Sequence, residues 1–151
     1  MNYFGIKTDR DLFAEIQSAM VEFRNNPNDR LIFFLVFGLN HLREWIANAS
    51  YEQINDKKKK GLSLTDEEMF FFEIWSLPEF EVINSLCNRS KHYSSKRNEY
   101  NTSVVQGARS GIAKCGDSLA QMYYLIDGKD SREVLNPIIK KYADWFEKVN
   151  Q

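Results

Sequence analysis

The sequence predicts a mainly α fold, a bundle of four to five helices with a β-hairpin inserted before the C-terminal helix. Three observations support this: apolar residues recur at helical spacing, capping residues precede these segments, and after Asn98 the pattern becomes extended with interspersed glycines. At 151 residues, 43% hydrophobic and 14% aromatic, the chain is expected to form one domain over residues 1–151.

The first two helices begin at recognisable residues. Thr8 and Asp11 have the types and spacing of a capping box. The second helix is expected from Asp29 to about Ile54, near 40 Å long at roughly 1.5 Å per residue. Its start, residues 31–37, is apolar on every side, which predicts the centre of the bundle. The lysine run that follows is expected to be a solvated connection.

The third and fourth helices are separated by a proline. Thr65 and Glu68 form a second capping box before a Phe-rich segment. Pro78 is expected to break or restart the helix, because proline lacks the amide hydrogen that a helix interior needs. The fourth helix then runs from Glu79 to about Tyr93, with Cys87 on its apolar side, where it is interpreted as a core residue.

A β-hairpin is expected over about residues 102–127. The segments 103–105 and 119–126 look extended, and three glycines lie between them. An Asp-Gly pair at 127–128 then turns the chain.

The last helix is expected over about residues 130–149. Asp130 and Glu133 are suitable for its cap. Pro137 is expected either to kink this helix or to mark its true start, with Asn136 as the capping residue.

Composition limits the possible functions. The net charge of −1 gives no global attraction to nucleic acid or anionic lipid, so such binding must come from a local patch. The longest apolar run, residues 31–39, is shorter than the roughly 20 residues of a membrane span. No signal-peptide pattern is visible, so a cytoplasmic location with reduced cysteines is expected. No metal is expected, because the two histidines are separated by fifty residues without a paired Cys or carboxylate motif. No cofactor and no membrane contact are expected.

The segment 88–93, Asn-Arg-Ser-Lys-His-Tyr, is the main candidate site. Asn88 and His92 would lie one turn apart on one helix face, with Lys91 beside them. His41, the other histidine, lies on the central second helix and could face this segment. Two imidazoles, a lysine and an arginine suit an anion such as a phosphate, and such histidines suit acid–base chemistry.

Structural explanations remain open for the same residues. A histidine between Phe37 and Trp45 is typical of a hydrogen-bonded packing residue. Asn88 would then satisfy backbone groups or hydrogen-bond His41. The bases at the end of the fourth helix complement the acids at its start, as the helix dipole favours.

Short motifs add a resemblance. Residues 41–46 resemble an H-L-x-D-W pattern, and residues 86–93 resemble an L-x-N-x-x-K-H-aromatic pattern. Residues 126–128, followed by a helix that bears Trp145, resemble the usual ending. Together, over about residues 30–148, they resemble a family of small uncharacterised bacterial proteins found in phage, plasmid or integron contexts. The resemblance implies a helical bundle with a β-hairpin before the last helix, and it does not indicate what the protein does.

More distantly, the chain resembles the HEPN superfamily of helical bundles, which often dimerise and include RNases and toxin or defence proteins. The resemblance implies Arg89 as stabiliser of phosphate charge and His92 as the acid or base. Catalytic members have four to six residues between the arginine and the histidine, whereas this sequence has two.

Two functions are therefore weighed. The first is a cytosolic homodimer whose polar site, at His41, Asn88, Lys91 and His92, binds RNA or a nucleotide, with metal-independent cleavage that uses Arg89. The second is a non-catalytic dimeric interaction module in which the same residues form a structural polar network. The dimer is expected because eleven Phe, seven Tyr and three Trp are hard to bury in one small core.

Overall fold

The computed structural model describes residues 4–91 and 100–149, and these residues form six helices and a three-stranded antiparallel sheet. The predicted fold class is confirmed, because the protein is mainly helical with a small sheet before the C-terminal helix. The elements, in chain order, are α1 (Asp9–Asn25), α2 (Asp29–Ala47), α3 (Tyr51–Lys59), α4 (Asp66–Trp75), α5 (Pro78–Lys91), β1 (Thr102–Gln106), β2 (Met122–Ile126), β3 (Lys129–Asp130) and α6 (Arg132–Lys148).

Helix α2 is the centre of the bundle, as the sequence predicts, and packs against α1, α4, α5 and α6. Its core face is fully or nearly fully buried and consists of Leu31, Leu35, Val36, Leu39, Leu42 and Ile46. The opposite face is not covered by these helices, since Phe33 remains 56% exposed. The apolar start of α2 is therefore buried on one side only.

The expected long second helix is wrong, because it is two helices. Asn48 ends α2 in the left-handed conformation, with φ 47° and ψ 35°, which asparagine tolerates better than most residues. Ser50 then caps α3, and its side chain and that of Gln53 form a capping box. The helical spacing of apolar residues continues to Ile54, but residues 51–54 belong to the separate helix α3.

The lysine run is also placed differently from the expectation, because its first three residues form the last turn of α3. The Lys57 ammonium lies 2.7 Å and 2.8 Å from the two carboxylate oxygens of Glu68, at the start of α4. The Lys58 ammonium lies 4.5 Å from the centre of the Phe72 ring. These contacts join α3 to α4.

The predicted capping boxes of α1 and α4 are confirmed at Thr8 and Thr65. Pro78 restarts the chain as the first residue of α5, where its missing amide hydrogen costs no helical hydrogen bond. Side-chain and backbone features within a few residues of each helix start therefore account for the starts of α1, α4 and α5.

The last helix starts at Arg132, so Pro137 lies inside it and does not mark its beginning. Asp130 accepts a hydrogen bond from the Arg132 amide at 2.9 Å. The alternative cap, Asn136, instead accepts from the Arg24 guanidinium at 2.8 Å and ties α6 to α1.

The predicted hairpin forms between β1 and β2, with Thr102 opposite Ile126 and Gln106 opposite Met122. The Asp-Gly pair at 127–128 has positive φ at both residues and connects β2 to β3 as a second, two-residue hairpin. The sheet therefore has one strand more than predicted.

The segment between β1 and β2 is anchored by buried charges. Asp117 receives two hydrogen bonds from the Arg132 guanidinium, both 2.7 Å, and a third from the Tyr123 hydroxyl at 2.9 Å. Asp130 binds the same guanidinium at 2.8 Å. Residues 119 and 120, predicted to be extended, form a turn beside this anchor, and the strand begins only at Met122.

Helices α1 and α2 are in close contact at Gly38. A β-carbon at this position would lie 2.9 Å from Cγ1 of the fully buried Ile16. Glycine is therefore required by space, although it disfavours a helix interior by about 1 kcal/mol.

We expect Gly38→Ala to lower the free energy of unfolding by about 1–3 kcal/mol, because overpacking outweighs the gain in helix propensity. Denaturant unfolding of Gly38→Ala, Ile16→Ala and the double variant measures this as a double-mutant cycle. The alanine penalty should vanish in the Ile16→Ala background. An equal penalty in both backgrounds would show that the two residues do not collide.

Candidate functional site

His41 joins α2 to α5 through two side-chain contacts. Its Nδ1 lies 3.4 Å from Oε2 of Glu44, one turn along α2. Its Nε2 lies 3.9 Å from Sγ of Cys87 on α5. The side chains of His41 and Glu44 are 33% and 36% exposed, whereas Cys87 is completely buried. The imidazole therefore lies at the boundary between core and solvent.

These contacts keep His41 protonated. The sulfur of Cys87 and the carboxylate of Glu44 raise the pKa of His41 to about 9, although burial and the nearby charge of Lys91 act in the opposite direction. The hydrogen bond from His41 lowers the pKa of Glu44 in turn. Both ring N–H groups are used inside the protein, so His41 offers a ligand its charge and its ring surface.

The order thiol, imidazole, carboxylate is that of a nucleophile, its base and an orienting group. Cys87 has no exposed surface, so its sulfur cannot reach a substrate in this conformation. The interpretation of Cys87 as a core residue is confirmed. What remains is an ion pair between the His41 imidazolium and the Glu44 carboxylate, whose charges offset each other.

The last turn of α5 carries three of the predicted site residues, Asn88, Arg89 and Lys91, and all three are exposed. The Arg89 guanidinium donates to the carbonyl of Tyr100 at 3.0 Å. The charge of Lys91 acts on both His41 and Glu44. His92, the predicted acid or base, lies outside the described residues.

An apolar groove of about 340 Å³ opens beside this turn, and Leu86 and Ser90 of α5 line it. A second cavity, of about 480 Å³, lies along α2 towards α1 and includes His41. Phe37 borders both. The groove volume lies at the lower end of the ~300–1,000 Å³ typical of ligand pockets.

Two further charged clusters were not identified from the sequence, and both are structural. Arg43 is only 3% exposed. Its guanidinium lies 4.4–4.5 Å from the ring centres of Phe71, Trp75 and Phe80. Burial lowers the pKa of Arg43 to about 10, so it stays charged at neutral pH. The second cluster, around Arg132, pairs its buried charges with one another.

The signal for Arg43 was present in the sequence as an arginine within an otherwise apolar helix face, and the excess of rings in α4 pointed to a partner. The signal for Arg132 was weaker, because Asp117 is fifteen residues away in a turn-rich segment.

Within residues 4–91 and 100–149, no group of three His, Cys, Asp or Glu side chains is arranged to hold a metal ion. In the same part of the chain, no helix combines the length and apolarity needed to cross a membrane. No protein-family model matches the chain, and neither a curated protein nor a solved structure shows significant similarity to it.

We expect the pKa of His41 to be about 9 in the folded protein, against an ordinary value of 6.5. The contacts should therefore stabilise the fold fully below pH 6.5 and cease to do so as pH rises through 9. A pH titration of the ring protons by NMR measures the pKa directly.

In Cys87→Ala and in Glu44→Gln the pKa of His41 should fall towards 6.5, with the larger fall in Cys87→Ala. Because His41 and Glu44 are about one third exposed, the stability lost at high pH should be at most about 1 kcal/mol. A wild-type pKa near 6.5 would contradict the described contacts.

Proposed function

We propose that this protein binds the phosphates of RNA or of a nucleotide at the C-terminal end of α5. Arg89 and Lys91 would contact phosphate oxygens, and His41, whose charge is offset by Glu44, would add its ring from α2. The observation that carries the proposal is that both cations are exposed on the last turn of α5, beside the apolar groove that Ser90 lines.

Exposure favours this site over the structural polar network. A network that fixes helix packing would bury these groups and pair each donor. Here Asn88, Arg89 and Lys91 are exposed. Basic side chains at a helix C-terminus also stabilise the helix dipole, but this role does not prevent them from binding a ligand, because the cations stay exposed.

The proposal extends to cleavage of RNA without a metal, in a defence or mobile-element context, by analogy with the HEPN superfamily. The 2′-hydroxyl would attack the adjacent phosphate and expel the 5′-oxygen of the next nucleotide. Because both nitrogens of His41 are engaged, His92 would take the proton of the 2′-hydroxyl and deliver a proton to the departing 5′-oxygen, which leaves a 2′,3′-cyclic phosphate and a 5′-hydroxyl. Arg89 would stabilise the phosphate charge.

We expect single-stranded RNA to bind the wild type with modest affinity that falls as salt increases, because few phosphate contacts are available in a chain of net charge −1. Arg89→Gln and Lys91→Gln should each weaken binding about three- to tenfold and reduce the salt slope by roughly 0.7. Fluorescence anisotropy across a salt series measures both.

Lys140→Gln is the matched control, because Lys140 is an exposed lysine on α6, and it should bind as the wild type does. Equal losses in all three variants would indicate nonspecific attraction to positive charge. Cleavage is tested in the same samples with a chelator present: the wild type should turn over RNA and His92→Ala should not. Turnover that persists in His92→Ala would exclude His92 as the proton-transfer group.

A homodimer is the second proposal, and β1 supports it. Among the described residues β1 pairs only with β2, which leaves one edge open, and four of its five residues are exposed. Open edges present unpaired N–H and C=O groups that a second copy can bind. In this arrangement the protein would act as a dimeric interaction module, with or without RNA.

We expect sedimentation at micromolar concentration to give twice the monomer mass of 17.7 kDa. Val104→Lys places a charge on the exposed face of the edge strand and should yield monomers. Leu119→Lys is the control, because Leu119 is 86% exposed and lies outside the sheet. A wild type that sediments as a monomer would refute the dimer.

A further inference from the structure

Three rings follow one another along the exposed side of α2. Phe33, Phe37 and His41 are spaced by four residues, so each lies one turn from the next. The ring centres of Phe33 and Phe37 are 4.6 Å apart, and those of Phe37 and His41 are 6.0 Å apart. Phe33 is 56% exposed, and Phe37 and His41 are partly exposed. We call these three residues the ring ladder.

Two members of the ring ladder line the groove beside the proposed phosphate site, whereas His41 lines the second cavity. Phe33 and Phe37 form part of the α2 wall of the groove, and Ser90 lines it from α5. The chain neighbours of Ser90 are the exposed cations Arg89 and Lys91. Successive helical residues point about 100° apart, so these cations flank the residue that faces the groove.

The opposite wall of the groove, formed by β1, also lies close to one of these cations. Thr102, Ser103 and Val104 of β1 line it, and Arg89 is hydrogen-bonded to the carbonyl of Tyr100, just before this strand. An apolar, ring-lined surface therefore adjoins a cationic rim. A ligand that matches both has flat apolar faces joined by an anionic backbone.

We infer that the ring ladder is a stacking platform for unpaired bases of RNA. The bases would stack on Phe33 and Phe37, and the adjoining phosphates would lie at Arg89 and Lys91. This rests on the proposed phosphate site and names its ligand class. Stacking on aromatic side chains is available only to bases whose faces are free, so single strands are bound and duplexes are excluded.

The platform is also expected to tolerate any base sequence. Every base has a π face, whereas the groove offers few polar groups to read base edges: Asp29, Ser90, Thr102, Ser103 and the hydroxyl of Tyr124, which is already hydrogen-bonded to Asp29. A protein segment as ligand would match the apolar wall and leave the flanking cations unpaired, so the charge pattern favours an anionic backbone.

The test compares three labelled probes of about twelve nucleotides, a length within the range of single-strand sites. They are a single-stranded RNA, its blunt duplex, and an abasic strand that keeps the phosphates and lacks the bases. The wild type should bind the single strand most tightly. Phe33→Ala should weaken single-strand binding about tenfold and leave abasic binding unchanged.

Two further variants separate stacking from volume. Phe33→Trp keeps a π face and should retain single-strand binding, whereas Phe33→Leu keeps apolar bulk without one and should behave as Phe33→Ala. Leu119→Ala removes an apolar side chain that is more exposed than Phe33 and lies away from the groove, and this variant should bind as the wild type does. All variants should melt as the wild type does, since Phe33 contributes little buried surface.

Failure of the stacking platform and failure of the phosphate site give different results. If the wild type binds none of the probes, the phosphate site itself is refuted. A second result is that the wild type binds the abasic strand or the duplex as tightly as the single strand, and that Phe33→Ala leaves binding unchanged while Lys91→Gln weakens it. This result would support the phosphate site and refute the stacking platform.

Discussion

The stacking of Arg43 against aromatic rings is the interaction on which the rest of the arrangement depends. A buried guanidinium loses its hydration, and the ring faces of α4 and α5 replace part of it. This fixes the start of α5, at Phe80, against α2. Cys87 lies two turns further along the same face of α5, so the same contact brings its sulfur to His41. The core therefore positions the exposed cations one turn beyond.

Most of the fold could be predicted from local chemistry, because its signals act within a few residues. Capping boxes, Pro78 and the Asp-Gly turn each determine backbone geometry where they stand. The break at Asn48 was missed because apolar periodicity continues through it and asparagine is compatible with a helix. The signal that would have found it is the capping pair of Ser50 and Gln53 in the next turn.

The candidate site was predictable only as a set of residues and not as a set of contacts. The sequence identified His41 and the end of α5 as polar positions near one another in a bundle. It could not show that His41 meets Cys87, because that contact depends on how two helices are rotated about their axes. Periodicity places Cys87 in the core, and only the packing around Arg43 determines which α2 residue it touches. The exposure of Lys91 depends on the same rotation.

One face of α2 packs in the core and another contributes to the proposed binding site. The face on which a residue lies therefore determines whether its substitution reports on stability or on binding. Gly38 and Leu35 face the core, so changes there reach any function only through stability. Phe33 and Lys91 are exposed, and their replacement should change binding without changing the free energy of unfolding. His41 belongs to both faces, because its charge is held by a buried sulfur and is presented to solvent. A His41 variant alone therefore cannot separate an effect on stability from an effect on binding, whereas variants of the exposed Phe33 and Lys91 can.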